Sequence, residues 1–268
     1  MGEWGFSIID QQPILVKGLT AFYLTLELCL VAFVTATIIA VPLGIIASMN
    51  KDTMLDKIIM TIALISLALP VFWLSVVLTL FPSSTSLPIP IDGDISPIYE
   101  FKNHTGFLLI DTLIATKSYQ LDAFFSRLAH LFLPSLVLSL FLISELIRLT
   151  RNTISTVMKS NFIKAAYAKG FSKPQIIYRH VFKNAMPTII HNIRLQFNTI
   201  ISFAMVVEIV FSMQGIGGWL LSSITLGDYL ALPTSLLIIS LFILISSIFI
   251  DILLVVISPV KRKSLYVD

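Results

Sequence analysis

Five stretches of this chain are apolar over about 20 residues, the length a helix needs to cross a bilayer. They run 21–49, 58–81, 131–149, 188–213 and 235–258. The pattern predicts an all-α fold, a polytopic membrane bundle of about five spanning helices. Residues 1–20 precede the first span, and residues 259–268 form a basic tail. Between the second and third spans, residues 82–130 are polar. They hold a Pro-rich turn, Leu87-Pro88-Ile89-Pro90-Ile91-Asp92-Gly93, and a less polar piece at 105–114. That piece is too short to span and is expected to pack on the membrane-facing surface.

A different period governs 150–187. Ile154, Val157, Met158, Phe162, Ala165 and Ala166 recur at steps of three, one, four, three and one, which predicts one apolar helix face. Gly170 follows where a left-handed cap belongs. Ser172-Lys173-Pro174-Gln175 reads as a capping box, with Pro174 in the first turn, where its missing N–H is no loss. A second short helix is expected through Ile176, Ile177, His180, Val181 and Asn184. No Asp or Glu occurs from 146 to 207. A basic, amphipathic helix–turn–helix can dock a partner protein or lie on anionic headgroups. Periodicity does not choose between the two.

Composition agrees with the membrane reading. Of 268 residues, 56% are hydrophobic and 12% charged, with mean hydropathy +0.93. A soluble domain carries about 25% charged residues, so a cytosolic enzyme, a disordered chain and a disulfide scaffold are excluded. The net charge of +3 matters less than its placement. Fourteen of the 18 basic residues fall on one side: Lys51 and Lys57, nine between Arg148 and Arg194, and Lys261, Arg262 and Lys263 in the tail. Lys17, Lys102, Lys117 and Arg127 fall on the other. The positive-inside bias then places the segment 150–187 and the C-terminus in the cytoplasm, with the N-terminus and 82–130 outside. Cys29 is the single cysteine, and the four histidines show no ligand spacing, so no metal site is expected. No cleavable signal peptide is visible, and no nucleic-acid partner is expected.

Four acidic residues lie within the spans, where ionisable groups are costly. Glu145 has Arg148 three residues on and reads as a structural pair. Glu27 lies near one end of its span and reads as reaching the outer interface. Asp251 sits near the cytoplasmic end of the last span. Glu208 precedes Gly215-x-Gly217-Gly218 and reads either as a pathway or gating residue or as a buried structural acceptor. Pro42, Pro70 and Pro134 read first as packing features. Glu208, Gly215, Gly217 and Asp251 are the pathway candidates.

The segment Asn161-Phe162-Ile163-Lys164-Ala165-Ala166-Tyr167-Ala168-Lys169-Gly170, with Arg179-His180, Asn184-Ala185 and Pro187, resembles the EAA signature of binding-protein-dependent ABC transporter permeases, in the form of the dipeptide, oligopeptide and nickel branch. Glu208 through Gly217 is similar to that branch's Glu-x-x-Phe-x-x-x-Gly-x-Gly element. Asp228-Tyr229, Asp251…Pro259, Thr25-Leu26-Glu27-Leu28, Pro42-Leu43-Gly44, Pro70-Val71-Phe72-Trp73 and Thr105-Gly106-Phe107 also match. The resemblance covers essentially the whole chain and is nearest the Sap-type peptide permeases.

The resemblance implies a permease subunit of the cell inner membrane, without catalytic residues or a cofactor of its own. It implies ATP and Mg on partner subunits, and the chain has no Gly-x-x-x-x-Gly-Lys-[Ser/Thr] loop. The implied partners are the lipid bilayer, a sister permease, two cytoplasmic ATPases and a periplasmic or surface-tethered substrate-binding protein. Coupling to the ATPase would run through Phe162, Lys164, Ala165, Ala166, Lys169, Gly170, Arg179, His180 and Asn184. The implied cargo is peptides, including antimicrobial peptides, with polyamine (putrescine) or metal-chelate transport as the alternative. Family members usually begin with one more helix, giving six spans, and Lys164 stands where the signature has an acid. Outside the family, a proton-coupled secondary transporter using Glu208 and Asp251 remains open, as does a nonfunctional fragment. An intramembrane enzyme is disfavoured, because no nucleophile, zinc or aspartate-dyad motif occurs.

Overall fold

The structure, a computed structural model, describes residues 5–9, 11–84, 89–99, 104–115 and 118–257. The expected tail 259–268, Lys102, Lys117 and the Leu87-Pro88 start of the Pro-rich turn lie outside the described residues. Among the described residues ten α-helices follow in order: α1 (Ile14–Met49), α2 (Met54–Ala68), α3 (Val71–Ser84), α4 (Leu108–Ile114), α5 (Gln120–Met158), α6 (Asn161–Ala168), α7 (Lys173–Ile176), α8 (Phe182–Val210), α9 (Ile216–Leu226) and α10 (Ala231–Ile257). A π-helical turn, Ile177–Val181, joins α7 to α8. Among the described residues the β pairing is an isolated bridge between Phe6 and Pro13. The fold class is the expected all-α membrane bundle.

Three helices are long and apolar enough to cross a bilayer among the described residues: Ile14–Met49, Gln120–Met158 and Pro174–Val210. The expected span 58–81 is instead two helices bent by 92°. The break falls at Leu69-Pro70, because the proline ring drives the residue before it out of the helical region. A count of five is reached only by taking this bent pair as one span and adding α10, whose apolar stretch Ala231–Ile245 is shorter.

The helices also overrun their apolar cores. α5 has 39 residues, about 58 Å at 1.5 Å per residue, nearly twice a hydrocarbon core of about 30 Å. Its polar first turns take up part of the expected 82–130 loop, and α4 lies in the rest. The second short helix expected after Gly170 is not separate. α7, the π turn and α8 follow one another without a coil between them. Sequence reading also missed α9, which starts among the glycines just after the span expected to end at residue 213.

The chain divides into two compact units. The first draws on the described residues within Met1–Val34, Leu69–Ser139 and Thr199–Ile243. Its core gathers Ile14, Ala21 and Phe22 of α1 with Ile216 and Trp219 of α9 and Ala231 and Ile238 of α10. Gly18 admits Trp219 and Ile238 against the α1 backbone, where a methyl group would stand 2.8 Å from Ile238 Cδ1.

The second unit draws on Thr35–Ala68, Leu140–Asn198 and the described residues of Leu244–Asp268. There α1 buries Ala36, Ala40, Gly44 and Ser48, one residue per turn. A methyl at Gly44 would stand 2.7 Å from Thr150 Cβ, so the small stripe lets the backbones of α1 and α5 approach closely. A second core joins Ile154, Ile163, Ala166, Ile176, Val181, Ala185 and Ile189.

Candidate coupling segment and candidate pathway cluster

The chain leaves α5 through Lys159 and Ser160. Ser160 is extended at φ −69°, ψ 152°, and its hydroxyl donates to Val157 O at 2.5 Å. This two-residue interruption resets the helical phase. The expected continuous face of Ile154, Val157, Met158, Phe162, Ala165 and Ala166 therefore breaks: Ile163 and Ala166 turn into the core, while Phe162 and Ala165 are exposed. Lys164, Lys169 and Gly170 are exposed as well. Sequence periodicity missed Ile163, because it ran the α5 register across the break.

The end of α6 is a Schellman turn. Gly170 takes φ +82°, its N–H donates to Tyr167 O at 2.9 Å, and the Phe171 N–H donates to Ala166 O at 3.4 Å. Beyond it, the Ser172 N–H donates to Gln175 Oε1 at 3.0 Å, the reach-back half of the expected capping box. Arg179 and Asn184 are exposed, and Asn184 Nδ2 donates to His180 O at 2.6 Å. His180 stands edge-on to Phe171, ring centres 5.7 Å apart, and its Nε2 is buried without a hydrogen-bond partner.

At the base of this segment, Arg151 forks onto Asp56. Nε lies 3.1 Å from Oδ1 and Nη2 lies 2.6 Å from Oδ2, while the Asp52 N–H donates to Oδ2 at 2.9 Å. Asp56 precedes the apolar run of α2, so its position is outside the span. The Arg151 hydrogen bond outweighs the effect of burial and holds the Asp56 carboxyl below its ordinary value. The expected Glu145–Arg148 pair is present, with Nη2 to Oε1 at 2.5 Å.

In the first unit the buried acids organise short helices. Arg127, fully buried, sits in α5 rather than in a loop. Its Nε donates to Glu27 Oε1 at 2.8 Å, and its Nη1 donates to Asp94 O at 2.7 Å and Asp94 Oδ1 at 3.2 Å. Glu27 thus does not reach for an outer interface; it is held inside by Arg127, 100 residues away, and its Oε2 accepts the Leu109 N–H at 3.2 Å. Asp94 Oδ2 accepts the Gln214 N–H at 2.8 Å, and the Gly93 N–H donates to Phe211 O at 2.9 Å.

Glu208 plays the corresponding part for α9. Oε2 accepts the Gly217 N–H at 2.8 Å, while Thr25 Oγ1 accepts the Ile216 N–H at 2.8 Å. Two amides at the start of α9 are thereby satisfied from α8 and α1, and the carboxylate faces the positive end of the helix. Glu208 Oε1 makes no bond of good geometry, although the Thr25 hydroxyl is near enough to interact. Gly215 packs on the carboxylate itself, where a methyl would collide with it, and a methyl at Gly217 would stand 2.5 Å from Met205 Cα. Glu208, Gly215 and Gly217 are therefore brought together. Asp251 is exposed on α10 and belongs to the second unit.

Beside this cap is a cavity of about 800 Å³, walled by Gln12, Lys17, Thr20, Glu208, Gln214 and Trp219 among others. Its size falls within the range of about 300–1,000 Å³ typical of small-molecule sites. Among the described residues no cluster of His, Cys, Asp or Glu could hold a metal ion.

Long apolar helices, with short helices capped by buried carboxylates, define a polytopic helical membrane protein. The chain belongs to the family of binding-protein-dependent transport system inner membrane components, whose sequence model matches residues 40–263. It is 37% identical over 264 residues to the putrescine export system permease protein SapB of Escherichia coli strain K12, covering 98% of this chain and 82% of that one. The peptide transport system permease protein SapB of Salmonella typhimurium strain LT2 is 36% identical over the same shares. The dipeptide transport system permease protein DppB of Escherichia coli strain K12 is 29% identical, over 96% of this chain and 76% of that one. An inward-facing structure of the MetNI methionine ABC transporter matches with TM-score 0.64 at 15% identity, covering 91% of this chain and 96% of that chain, a likeness of fold. The protein is a multi-pass permease subunit of an ABC-type transport system in the inner membrane.

Proposed function

We propose that this permease forms half of a peptide pathway, paired with a sister permease, and that α6 with its Gly170 turn docks one of two cytoplasmic ATPases. The supporting observation is the division of α6. Ile163 and Ala166 fasten it to the core, while Phe162, Lys164 and Ala165 on this eight-residue helix, and Lys169 and Gly170 in the turn that closes it, are left exposed with no acidic residue among them. Such a helix transmits force, because its anchored face moves with α5 and α8. ATP and Mg belong to the partners, and a substrate-binding protein delivers cargo from outside. The distribution of Lys and Arg supports an outer N-terminus and a cytoplasmic C-terminus. Phe162, Lys164, Ala165, Ala166, Lys169, Gly170, Arg179, His180 and Asn184 carry the coupling.

Peptide cargo rests on relatives named for peptide and dipeptide transport. A second reading, polyamine transport, rests on the relative named for putrescine export. Glu208 and the cavity beside it belong to the pathway wall in either case, with Gly215 and Gly217 shaping it.

Affinity capture of the membrane-extracted chain tests the assembly. An ATPase and a second permease are expected with the wild type, and the ATPase is expected to be depleted with Gly170→Val. Equal ATPase recovery from both would overturn the docking role. Reconstituted vesicles offered labelled dipeptide or labelled putrescine then separate the two cargo readings.

A further inference from the structure

The outward side of the segment 150–187 carries charge of one sign. Lys159, Lys164, Lys169, Arg179 and Lys183 are exposed, and no Asp or Glu occurs between 150 and 187. The two arginines nearest the span are matched within the chain, Arg148 by Glu145 and Arg151 by Asp56. Farther along, the segment offers no carboxylate of its own to do the same. The positive-inside bias accounts for Lys and Arg on the cytoplasmic side, but Asp and Glu contribute little to it. The chain holds 15 acidic residues, so their exclusion from this segment needs a reason beyond topology.

A helix resting on a bilayer buries its apolar face about 5–10 Å into the headgroup boundary. Here that face is already used. Ile163 and Ala166 of α6, with Ile176, Val181 and Ala185 beyond the Gly170 turn, join Ile154 and Ile189 in one core. Left outside are Ala165 and Ala168 among the lysines, together with Phe162, Tyr167 and Tyr178. Small side chains let another backbone come close, and aromatic residues are enriched where proteins meet. Periodicity alone left a protein partner and anionic headgroups level. The inward turn of the apolar face favours the protein.

We propose that the ATPase surface seated on this segment is acidic, with Asp and Glu side chains facing Lys164 and Lys169 at α6 and Arg179 and Lys183 beyond the turn. This rests on the docking role of α6 and adds the chemistry by which the partner is chosen. Rim charges act on encounter and on the rejection of wrong partners more than on final affinity. An ATPase with carboxylates there is drawn in from about 8 Å, the Debye length at physiological salt. One with a basic surface is turned away.

A carbodiimide joins an ammonium to a carboxylate in direct contact, forming an amide while the reagent takes up the water. It is applied to the detergent-extracted transporter, captured through the full-length chain at low salt. Lys164 or Lys169 is expected to be linked to an Asp or Glu of a subunit that carries the Gly-x-x-x-x-Gly-Lys-[Ser/Thr] loop, as read by mass spectrometry. Salt at about 1 M, where the Debye length is about 3 Å, should weaken that link several-fold. The double variant Lys164→Glu, Lys169→Glu should lower ATPase recovery about tenfold at physiological salt with an unchanged melting temperature. Lys57→Glu, exposed on α2 outside the segment, should not.

An ATPase that is captured with wild type but linked to neither lysine, and recovered equally with the double variant, would overturn the acidic surface and leave docking by α6 standing. Links from either lysine to this chain's own carboxylates would overturn it as well. In vesicles holding the chain without ATPase, protection of Lys164 and Lys169 from acetylation by added phosphatidylglycerol would put headgroups there instead. An ATPase missing from the wild-type complex at every salt would remove the docking role itself, and the proposal with it.

Discussion

Gly170 gives the sharpest test, because the structure separates its backbone from its surroundings. At φ +82° a side chain is strained, yet a Cβ added there would meet nothing within 4 Å. Any penalty within the chain is thus conformational, about 1–2 kcal/mol for a residue with an ordinary Cβ in the left-handed region. That corresponds to roughly a 5–30-fold change in an equilibrium constant. The strain falls on two hydrogen bonds, Gly170 N–H to Tyr167 O and Phe171 N–H to Ala166 O, that close α6. The series Gly170→Asn, Gly170→Ala and Gly170→Val should therefore follow backbone tolerance rather than size. Asn, which enters the left-handed region most readily, is expected near wild type, Ala intermediate and Val worst. Uptake per unit of ATP hydrolysed in reconstituted vesicles reads the coupling, and protease sensitivity after Phe171 reads the turn. If Asn is as damaging as Val, the reasoning fails, and close approach of a partner, not the turn, sets the requirement. If Val is silent, the turn plays no part.

Three further outcomes follow from the buried charges. Arg127→Met would leave Glu27 and Asp94 without their shared cation and is expected to destabilise the first unit by about 3–5 kcal/mol. A melting temperature in detergent equal to wild type would refute that. Glu208→Gln keeps a carbonyl oxygen for the Gly217 N–H, so the fold should survive. Unchanged uptake would make Glu208 purely a helix cap, whereas folded protein without uptake would assign it to the pathway. The Asp56 carboxyl is held below its ordinary value by Arg151, so the stability it contributes is fully present above the unfolded value of about 3.9 and is lost as pH falls through the lower folded value. Asp56→Asn should flatten the acid limb of a melting series as pH falls below the ordinary carboxylate value, and an unchanged slope would refute the link.

Much of this protein was legible from local pattern. Apolar runs located most of the helices, because a backbone in lipid must satisfy its hydrogen bonds internally. Gly170 by itself marks a left-handed turn, since few other residues tolerate that conformation. The i,i+3 pair of Glu145 and Arg148 could be written from spacing alone. The signature around Ala165 and the Glu208–Gly217 element carried the family.

Long-range partners were not legible. Nothing in the chain links Glu27 to Arg127, or Arg151 to Asp56, because a buried ion pair is set by which helices pack together and not by spacing. Glu208 could be flagged as costly, but only packing showed that its carboxylate closes the start of α9, a helix missed behind its glycines. The side of α6 that faces inward changed for a local reason with a tertiary outcome: two non-helical residues, Lys159 and Ser160, reset the phase, and the core then took Ile163 in place of Phe162. Periodicity determines that a helix has a buried face. Which residues fill it depends on the angle at which the chain re-enters the core, and only the tertiary structure decides that.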